Sequence, residues 1–135
     1  MKYLGIDYGA RKFGIAISDE LGMFAAPKET LHVKSLDEAL MKIQLLCQAE
    51  KIEEIILGLP GGFQGVDSPQ TLKVKAFATQ LKTTTKLPVI FWDETYSTKQ
   101  AESGARGRKR ENSDSEAARI ILQEFLDNNS ENLIN

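Results

Sequence analysis

Four acids and two groups of bases are the side chains here whose types and spacing could do chemistry. Asp7 closes a short apolar run over residues 3–6, Asp93 and Glu94 close another over 87–92, and Asp114 stands within Ser113-Asp114-Ser115-Glu116. A carboxylate at the tip of a strand buried on both faces is costly to place unless something cationic receives it. Acids gathered from two parallel strand ends repel one another until protons or a divalent cation neutralise them. An oxygen-only donor set of this kind favours Mg²⁺ or Mn²⁺ over zinc. Each acid also has an ordinary explanation: Asp7 as a turn residue, Asp93 and Glu94 as caps of the segment that follows, Asp114 as a helix N-terminal residue favoured by the dipole. For Asp114 taken alone, the capping explanation is the better one.

The bases complement the acids. Arg106, Arg108, Lys109 and Arg110 fall within five residues, broken only by Gly107. That run is too polar and too glycine-broken for a core element, and it predicts a mobile cationic loop. Arg11 and Lys12 lie on the turn beside Asp7. The formal net charge is -2, so any binding of polyanions rests on such local patches and not on overall basicity. His32, the one histidine, has no acid, cysteine or second histidine at ligand spacing and stays outside the site. Cys47 sits on an apolar helical stripe with no basic partner near it in sequence, which makes it a packing residue and not a nucleophile.

These residues need a scaffold, and 135 residues with 41% hydrophobic content supply one ordinary domain spanning 1–135. Residues 3–6 and 13–17 read as a strand pair joined by a glycine-containing turn. A third extended stretch runs roughly over 23–33, with Pro27 marking an edge or a break. Ser35-Leu36-Asp37-Glu38 opens a helix with a capping box. Residues 54–60 form a continuous apolar run, the pattern of a strand covered on both faces. The glycine-rich loop after it has neither a GK[ST] ending nor GxGxxG spacing, so nucleotide cradling is weakly supported. A second helix follows with Val74, Phe77, Ala78 and Leu81 on its stripe, then a strand over 87–92, a short helix over 95–103 and a last helix from Ser113. The tail after Asp127 is expected to fray. Opening hairpins followed by strand-helix alternation predict an α/β fold, a mixed five-stranded sheet with helices on both faces. In such sheets the site lies beyond the carboxyl ends of the strands. Asp7, Pro60-Gly61-Gly62 and Asp93-Glu94 all stand at such ends.

Four stretches then carry a resemblance. GIDYGARKFGIAISD, ILGLP with its following glycines, FWDETYST and DSEAARIILQEFL resemble, in order and over nearly the whole chain, the successive motifs of the YqgF family, also called RuvX. The resemblance implies an RNase H-like fold related to the RuvC resolvases. It implies metal-dependent hydrolysis of structured nucleic acid, maturing the 5′ end of precursor 16S rRNA, with Asp7, Asp93, Glu94 and Asp114 as the catalytic, metal-holding acids. Arg11, Lys12, Arg106, Arg108, Lys109 and Arg110 would then hold phosphates. Two departures stand out. Where the family commonly has DER, this chain has Asp93-Glu94-Thr95, and where it usually has Asn and Asp after GLP, Gly62 and Gln64 stand.

Three other readings follow from the same residues. One is a Holliday junction resolvase cutting four-way DNA as a homodimer, which demands an exposed self-complementary patch. Another is an assembly factor that binds structured RNA or junction DNA without cutting it. The third is an ATPase, since DYGARKFG also resembles the phosphate loop of the actin-like ATPases, but those close two such domains around their nucleotide. One cysteine and the lack of a leader or long apolar segment predict a cytoplasmic protein with no membrane contact.

Overall fold

The computed structural model describes residues 1–59, 68–93 and 110–134, with side chains over 114–128 in the last segment. The elements are β1 (Tyr3–Asp7), β2 (Lys12–Ser18), β3 (Ala25–His32), α1 (Leu36–Glu50), β4 (Glu54–Leu59), α2 (Pro69–Thr85), β5 (Val89–Asp93) and α3 (Arg110–Ile134). They form one five-stranded sheet in the order β3-β2-β1-β4-β5. β1 pairs antiparallel with β2, and β2 with β3; β4 runs parallel to β1 and β5 parallel to β4. The mixed sheet is the one the alternation of elements predicts.

Two cores explain why β1 and β4 are apolar without interruption. Leu4, Ile6, Phe13, Ile15, Ile55 and Leu57 face α1 and α2, where Ile43, Val74, Phe77 and Leu81 meet them. Tyr3, Ala16 and Ile56 face the other way, against Ala118, Ile121, Leu122 and Leu126 of α3. Strands with both faces covered cannot alternate apolar with polar residues. Asp7 breaks the run where β1 leaves the sheet.

The capping box at α1 forms as expected. Ser35 Oγ accepts the Glu38 amide at 3.2 Å, and Glu38 reaches back to the Lys34 amide at 2.9 Å. At the other end Lys51 takes the left-handed conformation (φ 57°) and its amide caps the carbonyls of Cys47 and Gln48. α2 opens on Ser68, whose hydroxyl accepts the Thr71 amide at 3.1 Å, with Pro69 at the first helical position. In the third strand, the register against β2 shifts between Ile15 and Ala16, which pairs with Pro27. β3 is an edge strand, the setting in which a residue without an amide hydrogen is tolerated.

Four boundaries differ from the sequence reading. β3 begins at Ala25, because the Asp19 carboxylate accepts the Met23 and Phe24 amides at 2.8 and 3.2 Å and holds them in the turn. β5 spans Val89–Asp93 and takes in Asp93. α3 begins at Arg110, so Ser113 is not its cap and Arg110 is helical instead of belonging to a loop. Nor does α3 stop after Asp127: Asn128 donates to the Glu124 carbonyl at 2.9 Å and the helix runs to Ile134. The expected short helix over 95–103, the glycine-rich loop over 61–67 and the bases Arg106, Arg108 and Lys109 lie outside the described residues.

Candidate active site at the carboxyl ends of the strands

Asp7 is the last residue of the central strand β1, and it is half-buried. Side chains alternate along a strand. Tyr3 packs toward α3 and Leu4 and Ile6 toward α1 and α2, so Asp7 shares the α3 face with Tyr3 and Gly5. Its partner across the antiparallel ladder is Gly14. A Cβ at Gly14 would overlap the backbone carbonyl of Asp114. The missing side chain on β2 therefore lets the backbone of α3 descend onto the sheet beside Asp7, and it brings Asp114 with it.

The same device recurs two turns along the helix. A Cβ at Gly5 would lie 2.8 Å from Leu122 Cβ and 3.1 Å from the Ala118 carbonyl oxygen. Asp114, Ala118 and Leu122 are spaced by four, which puts them on one stripe of a helix. That stripe rests on glycines of β1 and β2. Ala118 and Leu122 fill it by packing, and Asp114, half-buried, ends it where the strands end. Asp114 therefore owes its place to the body of the helix, one turn in from Arg110, and not to a cap.

The acids after β5 divide. Asp93 is in register with Leu59, whose side chain lies in the core under α1 and α2. Trp92, one residue earlier, faces α3: its indole Nε1 donates to Glu124 at 3.1 Å and its ring stands edge-on to Phe125 at 5.9 Å. The pleat thus turns Asp93 to the face opposite Asp7. With β4 between them, their strands are about 10 Å apart. Glu94 lies outside the described residues, and among the described residues no three acids, cysteines or histidines are grouped as a metal would need. The fold brings Asp7 and Asp114 to the same place and leaves Asp93 aside.

Of the expected phosphate-binding residues, Arg11 and Lys12 are exposed on the β1–β2 turn. The Arg11 carbonyl accepts the Val33 amide at 2.9 Å, which ties that turn to the end of β3. Arg110 opens α3, so the basic stretch leads directly into the turn that carries Asp114. His32 is exposed at the end of β3, in register with Lys12. Cys47 is buried, and burial pushes its thiol up to about 12, which leaves it protonated and unreactive. Gly14 was not singled out by spacing. Its signal is a glycine inside a β-branched strand, where close backbone approach is the usual reason.

No described helix is long and apolar enough to cross a membrane. Residues 1–128 match the family model for RuvX, described as Holliday junction resolvase. A candidate pre-16S rRNA nuclease of Syntrophomonas wolfei is 40% identical over 136 residues, covering 96% of each chain. One from Syntrophus aciditrophicus is also 40% identical, over 94% of this chain and 89% of its own. Among solved structures, RuvC of Thermus thermophilus superposes with a TM-score of 0.62 at 14% identity, covering 97% of both chains. The fowlpox virus Holliday junction resolvase does so with 0.59 at 12%, over 95% of this chain and 99% of its own. These likenesses establish the RNase H-like fold of the resolvases, and the motif order, the full-length relatives and the family match together show that the chain belongs to the RuvX family.

Proposed function

We propose that this protein is a metal-dependent nuclease that trims the 5′ end of precursor 16S rRNA, with Asp7 and Asp114 at its centre. The observation that carries the reading is the glycine contact: Gly14 pairs with Asp7 and leaves no room for a side chain beneath Asp114. A strand and a helix that share no local sequence thus bring the backbone of Asp114 close to the strand partner of Asp7. Full-length similarity to candidate pre-16S rRNA nucleases supports the choice of substrate.

The donor chemistry fits a hard divalent cation, Mg²⁺ or Mn²⁺, since both groups offer carboxylate oxygens on rigid elements. Such an ion supplies charge stabilisation at the phosphodiester and an activated water. Asp7 and Asp114 would hold it. Asp93 shares its pleat face with Leu59, so Glu94 is assigned as the third acid and Asp93 as a neighbour that shapes the chain. Arg11, Lys12, Arg106, Arg108, Lys109 and Arg110 grip flanking phosphates, which fixes the strand and carries little sequence information. The protein works in a reducing cytoplasm, where a buried thiol such as Cys47 stays a thiol.

The test is cleavage of two labelled substrates, a precursor 16S rRNA leader and a four-way DNA junction, with Mg²⁺, with Mn²⁺ and with chelator. The leader should be cut only with metal. Asp7→Asn and Asp114→Asn should each lose at least about a hundredfold, the scale on which one electrostatic contact to a transition state acts. Cutting of the junction alone would replace this reading with a resolvase. Binding without product under every metal condition would replace it with a non-catalytic assembly role.

A further inference from the structure

One cleft beside the acids has no part in the chemistry above. It holds about 360 Å³ and opens between the β1–β2 turn, the start of α1 and the exposed face of α2. Tyr8 and Leu36 form its accessible apolar floor, Phe77 lies buried against Tyr8, and Gln70, Lys73 and Gln80 form the rim. Gln70, Lys73, Phe77 and Gln80 follow one another at three, four and three residues, so one helical face supplies all four. Tyr8 is held edge-on to Phe13 at 5.2 Å and tilted against Phe77 at the same distance. The side chains of Gln70, Lys73 and Gln80 make no hydrogen bond or ion pair with any described residue.

We infer that this cleft is a nucleobase subsite: it takes one base of the RNA strand whose neighbouring phosphate lies at Asp7. The inference rests on the nuclease reading for the direction of the strand. Tyr8 directly follows Asp7, and successive side chains at a strand end diverge to opposite faces. A strand crossing the end of β1 can therefore present a phosphate to the α3 side and drop the next base onto the α2 side. The chemistry suits a base and little else. An aromatic and aliphatic floor offers stacking to any base, and two carboxamides each offer both a donor and an acceptor to a base edge. Lys73 on the rim, with Arg11 and Lys12 exposed on the adjoining turn, matches the phosphates on either side. A larger cleft of about 520 Å³ lies at the other end of the sheet from Asp7, where Lys2 and Lys28 are both paired with Glu50.

The experiment is photocrosslinking in chelator, where no strand is cut, using a single-stranded precursor 16S rRNA leader carrying 5-iodouridine at successive positions. Crosslinks at one position should map to Tyr8. Ala76, exposed on α2 at the cleft, is the place to plug it. Ala76→Trp should fold with an unchanged Tm, abolish that crosslink and raise KM for the leader about tenfold with kcat within twofold, the loss of one stacked base. Gln70→Ala with Gln80→Ala should keep the crosslink and flatten base preference at that position. Crosslinks that map elsewhere, or an Ala76→Trp protein with wild-type crosslinking, overturn the subsite. A wild-type protein that cuts no RNA in any metal ends the nuclease reading, and the crosslink, formed without metal, still decides the cleft.

Discussion

Replacing Gly14 with alanine tests whether the contact between β2 and α3 sets the active site. The new methyl would meet the carbonyl carbon and oxygen of Asp114, backbone atoms that have no rotamer to change. Ordinary van der Waals contact is restored only if the first turns of α3 retreat by more than an ångström. Overpacking of this kind costs about 1–3 kcal/mol, several degrees in Tm for a domain of this size. The second effect is on chemistry: a displacement of about 1 Å in a positioned group costs about a hundredfold in rate. Gly5→Ala is the control. Its methyl presses on Ala118 and Leu122, about 6 and 12 Å along the helix from Asp114 by the rise per residue, so it should lose comparable stability and less activity. Urea denaturation gives the first quantity, and single-turnover cleavage of the rRNA leader gives the second. A Gly14→Ala protein that is folded, less stable and still cuts within twofold of wild type would refute the argument.

Two further outcomes follow from local contacts. Ser35→Ala removes the acceptor of the Glu38 amide and should lower stability by about 1 kcal/mol in urea denaturation; an unchanged midpoint would show that the cap contributes nothing. Cys47 should make stability fall at alkaline pH. Its thiol is raised from 9.0 to about 12 by burial, so above pH 9 the unfolded chain gives up a proton that the folded chain keeps. The contribution is therefore complete below pH 9 and is lost progressively as pH rises toward 12. Unfolding free energy measured across that window should fall more steeply for wild type than for Cys47→Ala, and parallel curves would exclude the thiol as the cause.

The parts of this fold legible in the sequence are those whose cause is local. Ser35 and Glu38 announce α1 because the box that starts it is made within four residues. Glu54–Leu59 announces a strand covered on both faces because such a strand has no polar side to show. Asp7 stands out for the same reason, as a charge ending an apolar run. The contact between Gly14 and Asp114 was not legible, since it joins residues a hundred positions apart in sequence and leaves only a glycine as its trace. Which of Asp93 and Glu94 serves the site was not legible in a string of adjacent acids, whereas register with Leu59 gives Asp93 a definite face. The start of α3 moved back to Arg110 because Arg and Glu are good helix formers that extend a helix past a nominal cap.

The two central acids belong to the first strand and the last helix, more than a hundred residues apart in the chain. Contacts of such separation form late, because the loop between them must close before they yield anything. The β1–β2 hairpin closes over a few residues and can form early. α3 needs a finished sheet to lie on. Activity should therefore return with the slowest phase of refolding, after the sheet and its glycine seats exist. The residues of the cleft between α1 and α2 and of the β1–β2 turn sit on other elements than α3, so a chain whose α3 has come off the sheet would lack only one of the two acids proposed for the centre. Such a molecule would hold RNA without cutting it. The helix seat thereby makes completeness of folding a condition for catalysis, a safeguard against cleavage by half-formed copies.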